Sequence, residues 1–274
     1  MIDDDSLWQD MKPQKSVEFL HNKSRILSTE IITAIAILGN ATSKEISTFV
    51  LQEKSRTNTP VKPSKIRKYG NSVNNRLRTR AKGKFGLVEQ RFVIESGLSD
   101  TKNNPPIYAL TFRGCFLALG FNMSGKHLRQ FIKNSAKHSL FFSYLNAITK
   151  ETSLAIAKKV FINPIRELIK KGMIQLDDDF KLSIHTITGH CGREFQKFIE
   201  KNLNNKTIQD IENINKLSLD EGSDWYQEAV DKCFPSEDER KDYSEIYHDE
   251  KEEDDLLYYS LRRSMISAYE AVIS

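Results

Sequence analysis

Between Ser64 and Lys82 the chain sets two kinds of residue at helical spacing. At about 100° per residue, Ile66, Gly70, Val73, Leu77 and Ala81 cluster within about 80° of one another. Arg67, Lys68, Asn71, Asn75, Arg78 and Lys82 fall on the opposite side. Those side chains have nucleic-acid chemistry. Arg meets the O6 and N7 edge of guanine with two parallel donors, Asn matches the N6 and N7 edge of adenine, and Lys neutralises phosphate. A helix with that outer face suits the major groove of double-stranded DNA. The alternative is a solvated basic face, which is what a run of charge usually is. The expected contact set is Lys65, Arg67, Lys68, Asn71, Asn75, Arg78 and Lys82, with Lys84, Arg91 and Lys102 beyond the helix. Gly70 costs about 1 kcal/mol inside a helix, which leaves Asn71 as an alternative helix start.

Other chemistry finds little support. Ser124-Gly125-Lys126-His127 lacks the upstream glycine and preceding strand of a phosphate-cradling loop. No His-Glu-x-x-His and no Cys-x-x-Cys occurs, so the commonest zinc spacings are missing. His185, His190 and Cys191 would need a further ligand, and clusters this sparse are more often incidental. Asp177 to Asp179 and Glu252 to Asp255 are runs of consecutive carboxylates, which point apart, whereas acid–base catalysis needs convergence. They are expected to be solvated. Cys115 lies on an apolar helix face and reads as core. The expectation is a protein that is not an enzyme, with no catalytic residue, metal or cofactor.

The elements that would position the basic helix can be followed along the chain. Residues 1 to 24 are a polar lead interrupted by Pro13. Thr29 to Leu38 is a short apolar helix stopped by Gly39-Asn40. Thr42-Ser43-Lys44-Glu45 has capping-box spacing, which starts a second helix with Ile46, Phe49 and Val50 facing inward. Residues 52 to 63 form a linker, and the basic helix of residues 64 to 82 follows. Leu87 to Glu95 alternates and reads as a strand, residues 96 to 106 form a turn, and Ile107 to Leu110 is the returning strand. Thr111 then caps a helix from Cys115 to Phe121, with Gly114 allowing close packing.

Tyr108-Ala-Leu-Thr-Phe-Arg-Gly-Cys-Phe-Leu-Ala-Leu resembles the Tyr-x-Leu-Thr-x-x-Gly-x-x-Leu exit from the wing of many prokaryotic winged helix-turn-helix transcription regulators, archaeal ones especially. The resemblance spans residues 25 to 122. It implies a DNA-binding domain whose recognition helix is residues 64 to 82 and whose wing, residues 96 to 106, touches the backbone. The loop between the second and third helices is longer than the pattern.

The second half reads as helical. His127 to Lys150 and Ser153 to Lys171 carry apolar residues at helical spacing, interrupted at Asn163-Pro164. Gly172 to Leu176 and Phe180 to Thr188 could pair as a small hairpin, with a helix from Gly189 to Asn202 behind it. A plain helical domain over 126 to 205 is the main reading, and a degenerate second winged helix is the alternative. Residues 206 to 255 are an acidic segment, partly disordered or loosely helical. Residues 256 to 274 form an amphipathic terminal helix carrying Leu257, Tyr258, Leu261, Met265, Ala268, Tyr269 and Val272. It either docks on the second domain or pairs two copies as a homodimer.

Charge supports this division. From Lys44 to Arg91 thirteen Lys and Arg face three Asp and Glu, a balance of +10. From Thr207 to Ser274 nineteen acids face seven bases, a balance of −12. The acidic segment could bind a protein partner or cover the basic face. Three cysteines, an acidic N-terminus and no long apolar run point to a cytoplasmic, nucleoid-associated protein without a membrane segment. The fold expected is mainly α with a small β-hairpin wing: an N-terminal winged helix-turn-helix and a C-terminal helical domain. The function expected is binding of double-stranded DNA by a transcription regulator. The rivals are a protein–protein adaptor on the same scaffold and an accessory part of a nucleic-acid enzyme.

Overall fold

The computed structural model describes residues 25–55, 60–78, 86–101, 104–176, 180–203, 207–219, 225–227, 229 and 245–273, with the side chains of 245–249 left aside. The polar lead, Asp177 to Asp179 and most of the stretch between 220 and 244 lie outside them. The described chain is mainly helical with one small antiparallel sheet of three strands. Its described residues divide into two compact units, one within Val17–Asn134 and one within Ser135–Ser274.

In the first unit α1 (Arg25–Leu38) buries Ile31, Ile32 and Ile35 completely. Gly39, at φ 85°, ends it, because left-handed backbone carries no side-chain penalty at glycine. Asn134 supports the same end by donating 2.8 Å to the Ile37 carbonyl oxygen. The two-residue strand β1 (Ala41–Thr42) leads into α2 (Ser43–Ser55). The capping box closes as its spacing implies: Glu45 Oε2 accepts from Thr42 N at 2.7 Å, and Thr42 Oγ1 accepts from Glu45 N at 3.3 Å.

Helix α3 (Pro63–Leu77) starts at a proline, which lacks the N–H that a first helical turn leaves unpaired. It runs through Gly70, so Asn71 is not its start, and it ends five residues short of the expected Lys82. Arg78 already has extended backbone, φ −121° and ψ 113°. The strand expected over Leu87 to Glu95 is also displaced. Residues 87–91 form a turn in which Arg91 takes φ 59°, and β2 (Val93–Leu98) begins only after it. The turn buries Leu87 and delivers Phe92 and Val93 to the core.

Strand β2 pairs with β3 (Pro106–Leu110), with an irregularity between Glu95 and Gly97, and β1 adds to the other edge of β3. The sheet order is β1-β3-β2. Thr111 then opens α4 (Phe112–Leu119), its Oγ1 accepting from Gly114 N at 3.0 Å. Gly114 lies so close to β2 that a Cβ there would overlap the Phe92 carbonyl oxygen. Cys115 is part of this core. Helix α5 (Gly125–Ser135) completes the unit, its first turn capped by Ser124 Oγ.

The second unit has α6 (Leu140–Glu151) and α7 (Leu154–Ala157), then a π-helical turn (Lys158–Ile162) and α8 (Asn163–Lys170). The expected single helix from His127 to Lys150 is broken at residues 136–139, before the Ser139 cap of α6. Pro164 cannot donate to the helical ladder, and the π turn lies immediately before the proline-bearing segment. The expected hairpin at 172–188 does not form: Phe180–Asn202 is one helix, α9. The segment alternates Phe180, Leu182 and Ile184, but Phe180, Ile184, Ile187 and Cys191 also repeat at helical spacing and are fully buried, while Leu182 is 70% exposed.

Within the acidic stretch, most of the described residues are helical. It contains α10 (Ile208–Leu219) and the first residues of α11 (Glu245–Ile273). Helix α11 starts eleven residues before the expected Leu256, and its apolar stripe, including Leu257, Tyr258, Leu261 and Met265, is buried in contact with α9, α10 and α6. Glu253 and Asp254 are buried too, not solvated. Asp254 lies across the start of α6: its Oδ1 accepts from Ser139 Oγ at 2.8 Å and Phe141 N at 3.0 Å, and its Oδ2 from Leu140 N at 2.6 Å. A buried carboxylate here satisfies backbone donors that a helix N-terminus leaves open.

Candidate nucleic-acid interface

Helix α3 is held by two polar contacts to α1 as well as by its apolar stripe. Val73 and Leu77 are fully buried. Tyr69 OH donates to Glu30 Oε2 of α1, and Lys54 Nζ of α2 lies 2.6 Å from Glu30 Oε1. One carboxylate therefore joins three helices. Burial and the bond to Glu30 both raise the Tyr69 phenol above its usual range. Arg76 turns inward, its Nε donating 2.6 Å to Ser28 Oγ, and burial holds its guanidinium below the usual arginine range.

These contacts leave the opposite face clear. Lys65, Arg67, Lys68, Asn71 and Asn75 are all exposed, as the wheel implies. None of their side chains forms a hydrogen bond or ion pair among the described residues. No Asp or Glu occurs anywhere from Lys54 to Val88, so the face carries positive charge without internal neutralisation. At about 100° per residue, Arg67, Lys68, Asn71 and Asn75 lie within an arc of about 100°.

Two expected contact residues are placed differently. Arg78 has left the helix and forms a two-point ion pair with Glu95 of β2, whose hydrogen bond raises the guanidinium above its usual range. Its Nε and Nη2 both meet that carboxylate, so it braces the end of α3 against the hairpin. Arg91 is exposed in the turn before β2, not on an alternating strand. Lys82, Lys84 and Lys102 lie outside the described residues.

The wheel also passed over exposed residues at the same surface: Lys62 just ahead of α3, and Ser72 and Asn74 on it. Lys62 went unnoticed because it sits in the stretch read as linker, although its position directly before Pro63 was a usable signal. The hairpin tip is closed by Ser99 N donating 2.9 Å to Pro105 O and Asn104 N donating 2.8 Å to Thr101 O. It exposes Leu98, 65% accessible, and Asp100.

Among the described residues no three of His, Cys, Asp and Glu gather as a metal-binding group. His190 Nε2 lies 3.8 Å from Glu167, while Cys191 is fully buried, its thiol raised by desolvation beyond the reactive range. No described helix is long and apolar enough to cross a membrane. Comparison with protein-family models, with curated proteins and with solved structures returns no match.

Proposed function

We propose that residues 25 to 122 form a winged helix-turn-helix that binds double-stranded DNA, and that the chain acts as a transcription regulator. In this reading α3 enters the major groove, and the β2–β3 hairpin is the wing that touches the flanking backbone. The observation that carries it is the outward face of α3, where Lys65, Arg67, Lys68, Asn71 and Asn75 are exposed and no Asp or Glu occurs in the helix itself. The element order supports it as well. Two helices, the basic helix, a hairpin and a further helix follow one another in the order the resemblance implies, with β1 as an added strand beside β3.

The test is a salt titration of DNA binding by fluorescence anisotropy. Each phosphate neutralised contributes about −0.9 to the slope of log affinity against log salt. The combined Lys65→Ala, Arg67→Ala, Lys68→Ala variant is expected to weaken binding and to flatten that slope by up to about 3. All three side chains are exposed, so folding should be little affected. An unchanged affinity and slope would reject the assignment.

A further inference from the structure

Which bases α3 would read follows from how its polar side chains are committed, an inference that rests on the DNA-binding reading above. Three arginines occur at residues 63–78. Arg78 is held by Glu95 and Arg76 by Ser28, leaving Arg67 as the described guanidinium on this face without such a partner. Guanine could be met on this face by Arg67 and, less specifically, by Lys65 and Lys68.

The amide content of the face is large. Asn71, Asn74 and Asn75 are three exposed asparagines within five residues, all inside a helix. Asn has low helix propensity because its side chain competes for backbone groups, and it is usually found where it caps or turns the chain. No side-chain hydrogen bond of these three amides is formed among the described residues, so none offsets that cost. Asn71 and Asn75 stand one turn apart, about 6 Å along the axis and about 40° around it. That separation is close to two base-pair steps of about 3.4 Å each. A neutral amide offers both a donor and an acceptor, the complement of adenine N7 and N6 in the major groove.

We propose that Asn71 and Asn75 make α3 an adenine reader, and that its site is an A·T-rich major-groove segment with adenines about two base pairs apart. Arg67 and Lys68 then serve the flanking phosphates.

The test uses the full chain and three fluorescent duplexes at one salt concentration: A·T-rich, G·C-rich, and the A·T-rich sequence with 7-deazaadenine for adenine. The analogue removes the N7 acceptor but keeps base pairing and the minor groove. Wild type is expected to prefer the A·T-rich duplex by at least the worth of one contact, about 5- to 150-fold. That preference should fall towards unity on the 7-deazaadenine duplex and in the Asn71→Ala, Asn75→Ala variant. A preference that survives the analogue comes from groove shape or the hairpin and overturns the proposal, as does tighter binding to the G·C-rich duplex. Equal, salt-dependent binding to all three also overturns it while leaving the DNA-binding reading intact. Failure to bind any duplex removes both.

Discussion

At the level of single residues, two glycines in the first unit have opposite meanings that only their surroundings reveal. Gly114 sits against the Phe92 carbonyl, and a methyl group there must push β2 away from α4. Gly114→Ala is expected to destabilise the protein by about 1–3 kcal/mol, the usual cost of overpacking, read as a lower urea midpoint. Gly70 has room: an added Cβ would meet only Ser47 Oγ at 3.5 Å, an ordinary contact. Gly70→Ala should raise stability by up to about 1 kcal/mol through helix propensity. A destabilised Gly70→Ala protein would show that α2 and α3 are closer in solution. Arg78 makes the same point about charge. Its type and spacing mark it as a base reader, yet its pairing with Glu95 makes it a fastening.

Among the elements, the junction of α6 and α11 carries a titratable group. Asp254 is fully buried, and desolvation pushes its carboxyl up to about 7, against the bonds from Phe141, Ser139 and Leu140 that pull it down. The sign follows from proton binding. Between about pH 4 and 7 the folded chain holds this proton and the unfolded chain has released it, so stability falls as pH rises through that window. Urea midpoints at pH 5 and pH 8 should therefore differ, with the lower pH more stable as far as Asp254 is concerned. In Asp254→Asn that part of the difference should vanish. An identical pH dependence in the variant would mean that Asp254 does not titrate in this range.

For the whole molecule, α11 decides whether the second unit stands. Leu257, Tyr258, Leu261 and Met265 are each fully buried, at about 1.5–3 kcal/mol apiece. Together they supply about 6–12 kcal/mol, comparable to the total stability of a typical domain at about 5–15 kcal/mol. Removing residues 245–274 is expected to leave a molten or aggregating second unit, seen as dye binding and loss of a cooperative transition. A truncated chain that still unfolds cooperatively from both units would make α11 an appendage. Such truncation is also a poor way to ask whether acidic residues cover the basic face, because it removes core along with charge.

What the sequence determined was local. The capping box of Thr42 and Glu45, the cap of Thr111 on Gly114, the stop at Gly39 and the exposed face of α3 all depend on residues three or four apart, whose geometry a helix dictates. What only the tertiary structure decided was which distant group meets which. Glu95 takes Arg78 from seventeen positions away, and Asp254 caps α6 from more than a hundred. Phe180 to Thr188 could alternate as a strand or repeat as a helix, and packing of its helical face among α8, the π turn and α11 settled it. Periodicity states that a face will be covered. The covering partner, and whether a charge there is free or bound, depends on chain reversals that no local pattern encodes.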